Sequence, residues 1–194
     1  MSRTTIIVVV VLVLLGMYGC SSYNGLVEKD TAVEKTWGNV QTQYQRRADL
    51  IPNLVRTVQG AANFEKSTLQ AVISARANAT GINLNADQLT PENIQKFQAA
   101  QDQLSGSLSR LLAVAENYPQ LRATQNFSDL QAQLEGTENR ITVARNDFNQ
   151  VVGDYNQSVR SFPNNIFAGI FGFQRRGFFE ASQAAQSAPT VDFK

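Results

Sequence analysis

FSDLQAQLEGTENRITVARNDFNQVVGDYNQSVRSF, residues 127–162, is the stretch that decides the fold. Apolar or small side chains recur in it at Phe127, Leu130, Leu134, Thr137, Ile141, Ala144, Phe148, Val151, Tyr155, Ser158 and Phe162. The steps alternate between three and four residues, which keeps one side chain per turn on a single helix face over about five heptads, the seam of a left-handed supercoil. A strand would need alternation at every second residue, and the stretch has none. The spacing predicts one long helix, capped at Ser128 and ended by Pro163.

Upstream the pattern repeats. Ile94, Phe97, Leu104, Leu108, Leu111 and Ala115 form a stripe that opens at Thr90-Pro91-Glu92, an N-cap followed by proline at the first helical position, and stops around Tyr118-Pro119. The polar run from Gly81 to Pro91, with Asn83, Asn85 and Asp87, predicts the clearest loop between helices. Earlier still, Leu26, Val33, Trp37, Val40 and Tyr44 make one stripe, and Leu50, Leu54, Val58, Ala61, Leu69, Val72 and Arg76 continue it across Pro52. The missing N–H of Pro52 and its restriction on Ile51 predict a kink or short turn there. These segments give an all-α fold, an elongated antiparallel bundle of about four long amphipathic helices with an N-terminal membrane anchor. The expected organisation is 1–23 as transmembrane anchor or lipoprotein signal, 24–163 as helical bundle, and 164–194 as a Phe-rich C-terminal segment and loose tail.

The anchor is read from Thr4 to Tyr23, which holds no charged residue and contains the apolar run Ile6 to Leu15. At about 1.5 Å per residue such a helix spans a roughly 30 Å hydrocarbon core, with Tyr18 and Tyr23 suited to its interface. The same residues also read as a lipoprotein signal, in which Met17-Tyr18-Gly19-Cys20 is a lipobox and Cys20 becomes the acylated first residue. Tyr18 is bulkier than the residue usual at that place. Either form tethers the chain to a bacterial cell membrane. Arg3 before the apolar run and Lys29, Lys35, Arg46 and Arg47 after it lean towards a cytoplasmic body, whereas acylation places the body outside. The side stays open.

Composition removes much chemistry. There is no histidine and one cysteine among 194 residues, so the commonest general base, the commonest metal ligand and any intrachain disulfide are missing. With 17 Lys+Arg against 16 Asp+Glu, no broad field draws nucleic acid. Phosphate-binding glycine loops, zinc spacings and nucleophile elbows do not occur. No cofactor, metal or catalytic residue is expected.

Tyr23-Asn24-Gly25-Leu26-Val27, Trp37 and the run Tyr44-Gln45-Arg46-Arg47-Ala48-Asp49-Leu50-Ile51-Pro52-Asn53-Leu54-Val55 resemble the signature of the LemA family. Glu65 with Ala75-Arg76, Tyr118-Pro119-Gln120-Leu121, Glu138 to Ala144-Arg145, Tyr155-Asn156 and Phe162-Pro163 are similar to its downstream positions, so the resemblance spans Tyr23 to about Phe179. It implies an N-terminally anchored bacterial helical bundle without an established enzymatic activity. Some relatives occur beside a membrane metalloprotease or a TPM-domain protein, which implies an envelope or stress context. Cys20 departs from the ordinary membrane span that many relatives carry at this place.

Three groups of residues are candidates for function. Arg46, Arg47, Asp49 and Asn53 crowd the expected turn at Pro52, either as a docking surface for an anionic or peptide partner or as side chains that satisfy freed backbone groups. Glu65, Arg76, Glu138 and Arg145 are expected to form interhelical ion pairs that specify register. Phe167, Phe171, Phe173, Arg175, Arg176, Phe178 and Phe179 suit a membrane or partner contact, or a tail folded back over the bundle; Gly169, Gly172 and Gly177 argue against a regular helix there. The expected function is a membrane-anchored, non-enzymatic scaffold or adaptor that engages an envelope protein or copies of itself. The alternative is a membrane-organising protein that self-assembles and contacts lipid through its anchor and Phe-rich segment.

Overall fold

A computed structural model describes residues 2–60 and 64–180. Its elements are α1 (Arg3–Gln59), α2 (Lys66–Gly81), a 3₁₀ turn (Ala86–Gln88), α3 (Pro91–Ala115), α4 (Pro119–Arg122), α5 (Gln125–Arg160) and α6 (Asn164–Phe171). Among the described residues there is no strand, and the all-α expectation holds. Ala61 and the tail from Ala181 to Lys194 lie outside the described residues.

α5 packs along α1, with Lys29 beside Ser158 and Arg47 beside Glu138, so the two run antiparallel. α2 packs along α3. The stripe that predicted α5 is buried from Phe127 through Phe148. Beyond it Val152 takes the inward place expected of Val151, and Ser158 and Phe162 leave the core. An α-helix turns every 3.6 residues, so a seam stepped at 3.5 drifts off its face unless the helix is underwound. The cap also differs: α5 starts one turn earlier than Ser128, after Thr124. Thr90 caps α3 as expected, its hydroxyl accepting from the Asn93 N–H at 3.3 Å, with Pro91 in the first turn.

α1 runs through Pro52 without interruption, so the expected turn does not form. A proline at this place leaves the Ala48 carbonyl, one turn back, without its helical donor. Arg76 of α2 supplies a replacement: its Nε–H donates to the Ala48 carbonyl at 2.8 Å. Pro52 itself is exposed, so its ring displaces nothing in the core. The buried face here runs through Ile51, Leu54, Val55 and Val58, and Leu50 is only half-buried.

Two apolar clusters stack along the bundle. The upper one gathers Ile51, Leu54, Val58, Val72, Leu104, Leu111 and Phe127. The lower one gathers Val33, Trp37, Val40, Ile94, Phe97, Phe148 and Tyr155. Between them Arg47 and Gln101 form a buried polar layer. Below the lower cluster α1 passes α6 and then continues alone as a helix whose apolar side chains, Ile6 to Leu15, are all exposed. This end of α1 is long and apolar enough to cross a membrane.

Candidate interaction sites

The four polar residues expected around Pro52 do not share a surface. Arg46, Asp49 and Asn53 are exposed on α1, where Asp49 accepts from the Gln45 amide at 2.7 Å and Asn53 accepts from Arg56. Arg47 points inward and is 1% exposed. Its Nη1 donates to the Ser105 hydroxyl at 2.7 Å and pairs with a Glu138 carboxylate oxygen at 3.1 Å, while Nη2 donates to the carbonyl and the side-chain oxygen of Gln101. Gln101 in turn donates to the Ala79 carbonyl at 3.2 Å, so one guanidinium ties α1 to α3 and α5, and its partner amide reaches α2. The Tyr44 ring lies under the same guanidinium, 5.1 Å away. Burial pushes the Tyr44 hydroxyl pKa up to about 12, against the opposing pull of Arg145 and Arg47.

The expected ion pairs among Glu65, Arg76, Glu138 and Arg145 do not form. α2 lies on α3 and α5 lies on α1, so the helix bearing Arg76 is not the neighbour that Glu138 meets. Glu138 pairs with Arg47, Arg76 serves the Ala48 carbonyl, and Glu65, just before α2, accepts from the Ser67 hydroxyl. Arg145 sits over the Phe179 ring at 4.7 Å and donates to the Glu180 carbonyl at 3.1 Å.

The Phe-rich segment divides into two parts with opposite fates. Residues 164–171 form α6, contrary to the expectation from their glycines: of the three only Gly169 lies inside the helix, and Gly172 ends it at φ +79°, a left-handed conformation suited to glycine. Residues 173–180 form an extended strap across α3 and α5. Three side-chain amides hold it, each bonding the N–H and the C=O of one strap residue, as an amide with both donor and acceptor can. Asn156 holds Arg176 with two bonds of 2.9 Å, Asn149 holds Phe179 at 2.9 and 2.8 Å, and Gln98 holds Glu180 at 3.0 and 2.9 Å.

Tyr155 donates to the Gln174 carbonyl at 2.9 Å, and the Gly177 N–H donates to the Leu89 carbonyl at 2.8 Å. Burial and the nearby Asp30 carboxylate push the Tyr155 hydroxyl up to about 12. Arg176 forms a forked pair with Asp30, with Nη2 and Nε at 2.9 and 3.2 Å from one oxygen. Phe179 enters the lower core, with Trp37, Phe97 and Phe148 ring centroids 6.1, 6.3 and 5.6 Å away. Phe178, its neighbour, is 44% exposed. Of the two expectations for this segment, the strap takes the fold-back one.

Sequence reasoning did not find Asp30, Gln98, Asn149 or the function of Asn156. Each lies beside an apolar stripe, where a polar residue reads as the helix shoulder. Cys20 is an exposed free thiol at the foot of the bundle. Beside the strap, Glu92, Gln157, Arg160 and Arg175 together with Pro91 and Phe178 line an open groove of mixed character, about 790 Å³ in volume. Arg160 and Arg175 form no ion pair among the described residues, and Glu92 and Glu180 line the same groove, so both signs of charge meet there.

The LemA family profile matches residues 36–193 of this chain. Among named relatives, the magnetosome protein MamQ 2 of Paramagnetospirillum magneticum is 26% identical over 182 residues, covering 85% of this chain and 67% of the relative. MamQ of Magnetospirillum gryphiswaldense is 25% identical over the same shares. Protein LemA of Metamycoplasma hominis is 22% identical over 160 residues, or 82% of this chain and 69% of its own.

Proposed function

Since the chain belongs to the LemA family, we propose that it is a membrane-anchored, non-enzymatic scaffold or adaptor of the bacterial envelope, whose bundle presents helical faces to a membrane protein partner. The observation that carries this reading is the continuity of α1. One 57-residue helix begins in the apolar stretch and ends at the top of the bundle. Whatever holds Ile6 to Leu15 therefore also holds the bundle, without a flexible joint between them. The absence of histidine from the sequence, and of convergent reactive side chains among the described residues, supports a binding role over a catalytic one.

The partner class we favour is a membrane metalloprotease or a TPM-domain protein, in keeping with an envelope-stress setting. In-cell photo-cross-linking from exposed bundle positions such as Val143 and Arg46, followed by detergent purification of the full chain, tests this. Stoichiometric recovery of one such membrane protein supports the adaptor. Recovery of the chain with only its own copies and lipid overturns it in favour of self-assembly.

A further inference from the structure

α6 carries no charged residue, and its two sides differ. One side is docked on the lower end of α1. Asn164 Oδ1 accepts from the Tyr18 hydroxyl at 3.0 Å and from the Ser22 hydroxyl at 3.1 Å, and Ala168 is 1% exposed. The Phe167 ring lies 5.7 Å from the Tyr18 ring and presses on Gly19, where an added Cβ would come within 2.9 Å of it. Tyr23 receives Phe171 edge-on at 4.9 Å. The other side is bare: Ile166 is 52% and Ile170 70% exposed, and Phe162, in the turn just before α6, is 81% exposed. Ile166 and Ile170, four apart within the helix, share one face. Large apolar residues bare to water are costly, and the helix that carries them docks on Tyr18, Gly19 and Ser22, directly past the exposed apolar stretch of α1 that ends with Leu14, Leu15 and Met17.

From this continuity we infer that α6 is a second membrane contact, a foot that lies in the bilayer interface beside the anchor with Phe162, Ile166 and Ile170 turned into the acyl boundary. The inference rests on the tethered reading above and adds a geometry to it. A helix this short binds a bilayer weakly when free, but the anchor holds it at the surface at high effective concentration. Arg160 and Arg175, exposed on either side of α6 in sequence, fall where lipid phosphates lie. Tyr18 and Tyr23, at the α1–α6 contact, take the interfacial level. With two points of contact the body cannot spin about the α1 axis, so the same bundle face is always presented along the membrane.

Site-directed spin labelling of the full chain in phosphatidylethanolamine–phosphatidylglycerol vesicles tests the foot. In a Cys20→Ser background, labels go on Leu12→Cys in the anchor, on Ile166→Cys and Ile170→Cys in α6, and on Val143→Cys, an exposed position on α5 far from the anchor. The expected result is lipid-like exposure to oxygen and a severalfold loss of collisions with a water-soluble nickel chelate at 12, 166 and 170, with 143 fully aqueous. A lipid-embedded 12 with 166 and 170 as aqueous as 143 overturns the foot and leaves the tether standing. An aqueous 12 overturns the tether and the foot with it. Labels at 166 and 170 that are shielded yet broadened by each other, and sharpen on dilution with unlabelled chain, assign the patch to a second copy and also overturn the foot.

Discussion

Removing Arg76 should weaken the bundle through Pro52 and not through a lost ion pair. In Arg76→Met the Ala48 carbonyl loses the donor that stands in for the absent proline N–H. A hydrogen bond from a charged donor is worth about 1.5–3 kcal/mol, and Ala48 is 3% exposed, so water replaces that donor poorly. The expected cost is about 2 kcal/mol. Pro52→Ala restores the native helical donor to the same carbonyl and, on an exposed helix position, should stabilise by about 1–3 kcal/mol. In the Pro52→Ala background, Arg76→Met should then cost under about 1 kcal/mol, leaving a coupling of at least about 1 kcal/mol. The assay is urea unfolding of the four chains in detergent, followed by the fluorescence of Trp37, the only tryptophan and 2% exposed. Additive costs in the two backgrounds would refute the donor-replacement argument.

Phe179→Ala should cost about 3–5 kcal/mol, because it empties an aromatic box, whereas Phe178→Ala at the half-exposed neighbouring position should cost under about 1 kcal/mol; unfolding midpoints of the pair distinguish them. Arg47→Ala should cost about 3–5 kcal/mol, and Glu138→Ala much less, since the Glu138 side chain is 51% exposed while Arg47 keeps its Gln101 and Ser105 partners; thermal melts by circular dichroism check the order. Gly177→Ala should loosen the strap by about 1–3 kcal/mol, since its Cβ would meet Pro91 Cα at 2.7 Å and the Thr90 carbonyl at 2.9 Å; faster amide exchange at Gly177 and Phe179 is the readout. Stability should be unaffected by tyrosine ionisation below pH 10 and fall between pH 10 and 12. Tyr44 and Tyr155 hold their protons to about 12 when folded but release them near 10 when unfolded, and urea midpoints across that window give the slope.

The helices were legible because helical periodicity is a local property of the chain. The α5 seam, the Thr90-Pro91 start and the apolar run of α1 each needed only near neighbours in sequence. Pro52 misled for the opposite reason: whether a proline breaks a helix depends on what supplies the orphaned carbonyl, and here the donor lies on another helix. The same holds for Arg47 and Glu138, which meet only because α1 and α5 run side by side. The Phe-rich segment was recognised as special, yet its division into an outward α6 and an inward strap turns on Asn149, Asn156 and Gln98. Nothing local distinguishes these amides from ordinary helix surface.

The way Phe179 completes the lower core also sets an order of events during synthesis. Trp37 leaves the ribosome early, but the ring that closes its cage follows only after α2, α3 and α5 have been made. At roughly 5–20 residues per second that interval is on the order of 10 s. The upper cluster draws on residues 51 to 134 and is free to consolidate first. Until residue 179 has been made, the faces of Trp37, Phe97 and Phe148 that its ring covers have no partner from the strap, so the lower core is completed last and from the C-terminal side.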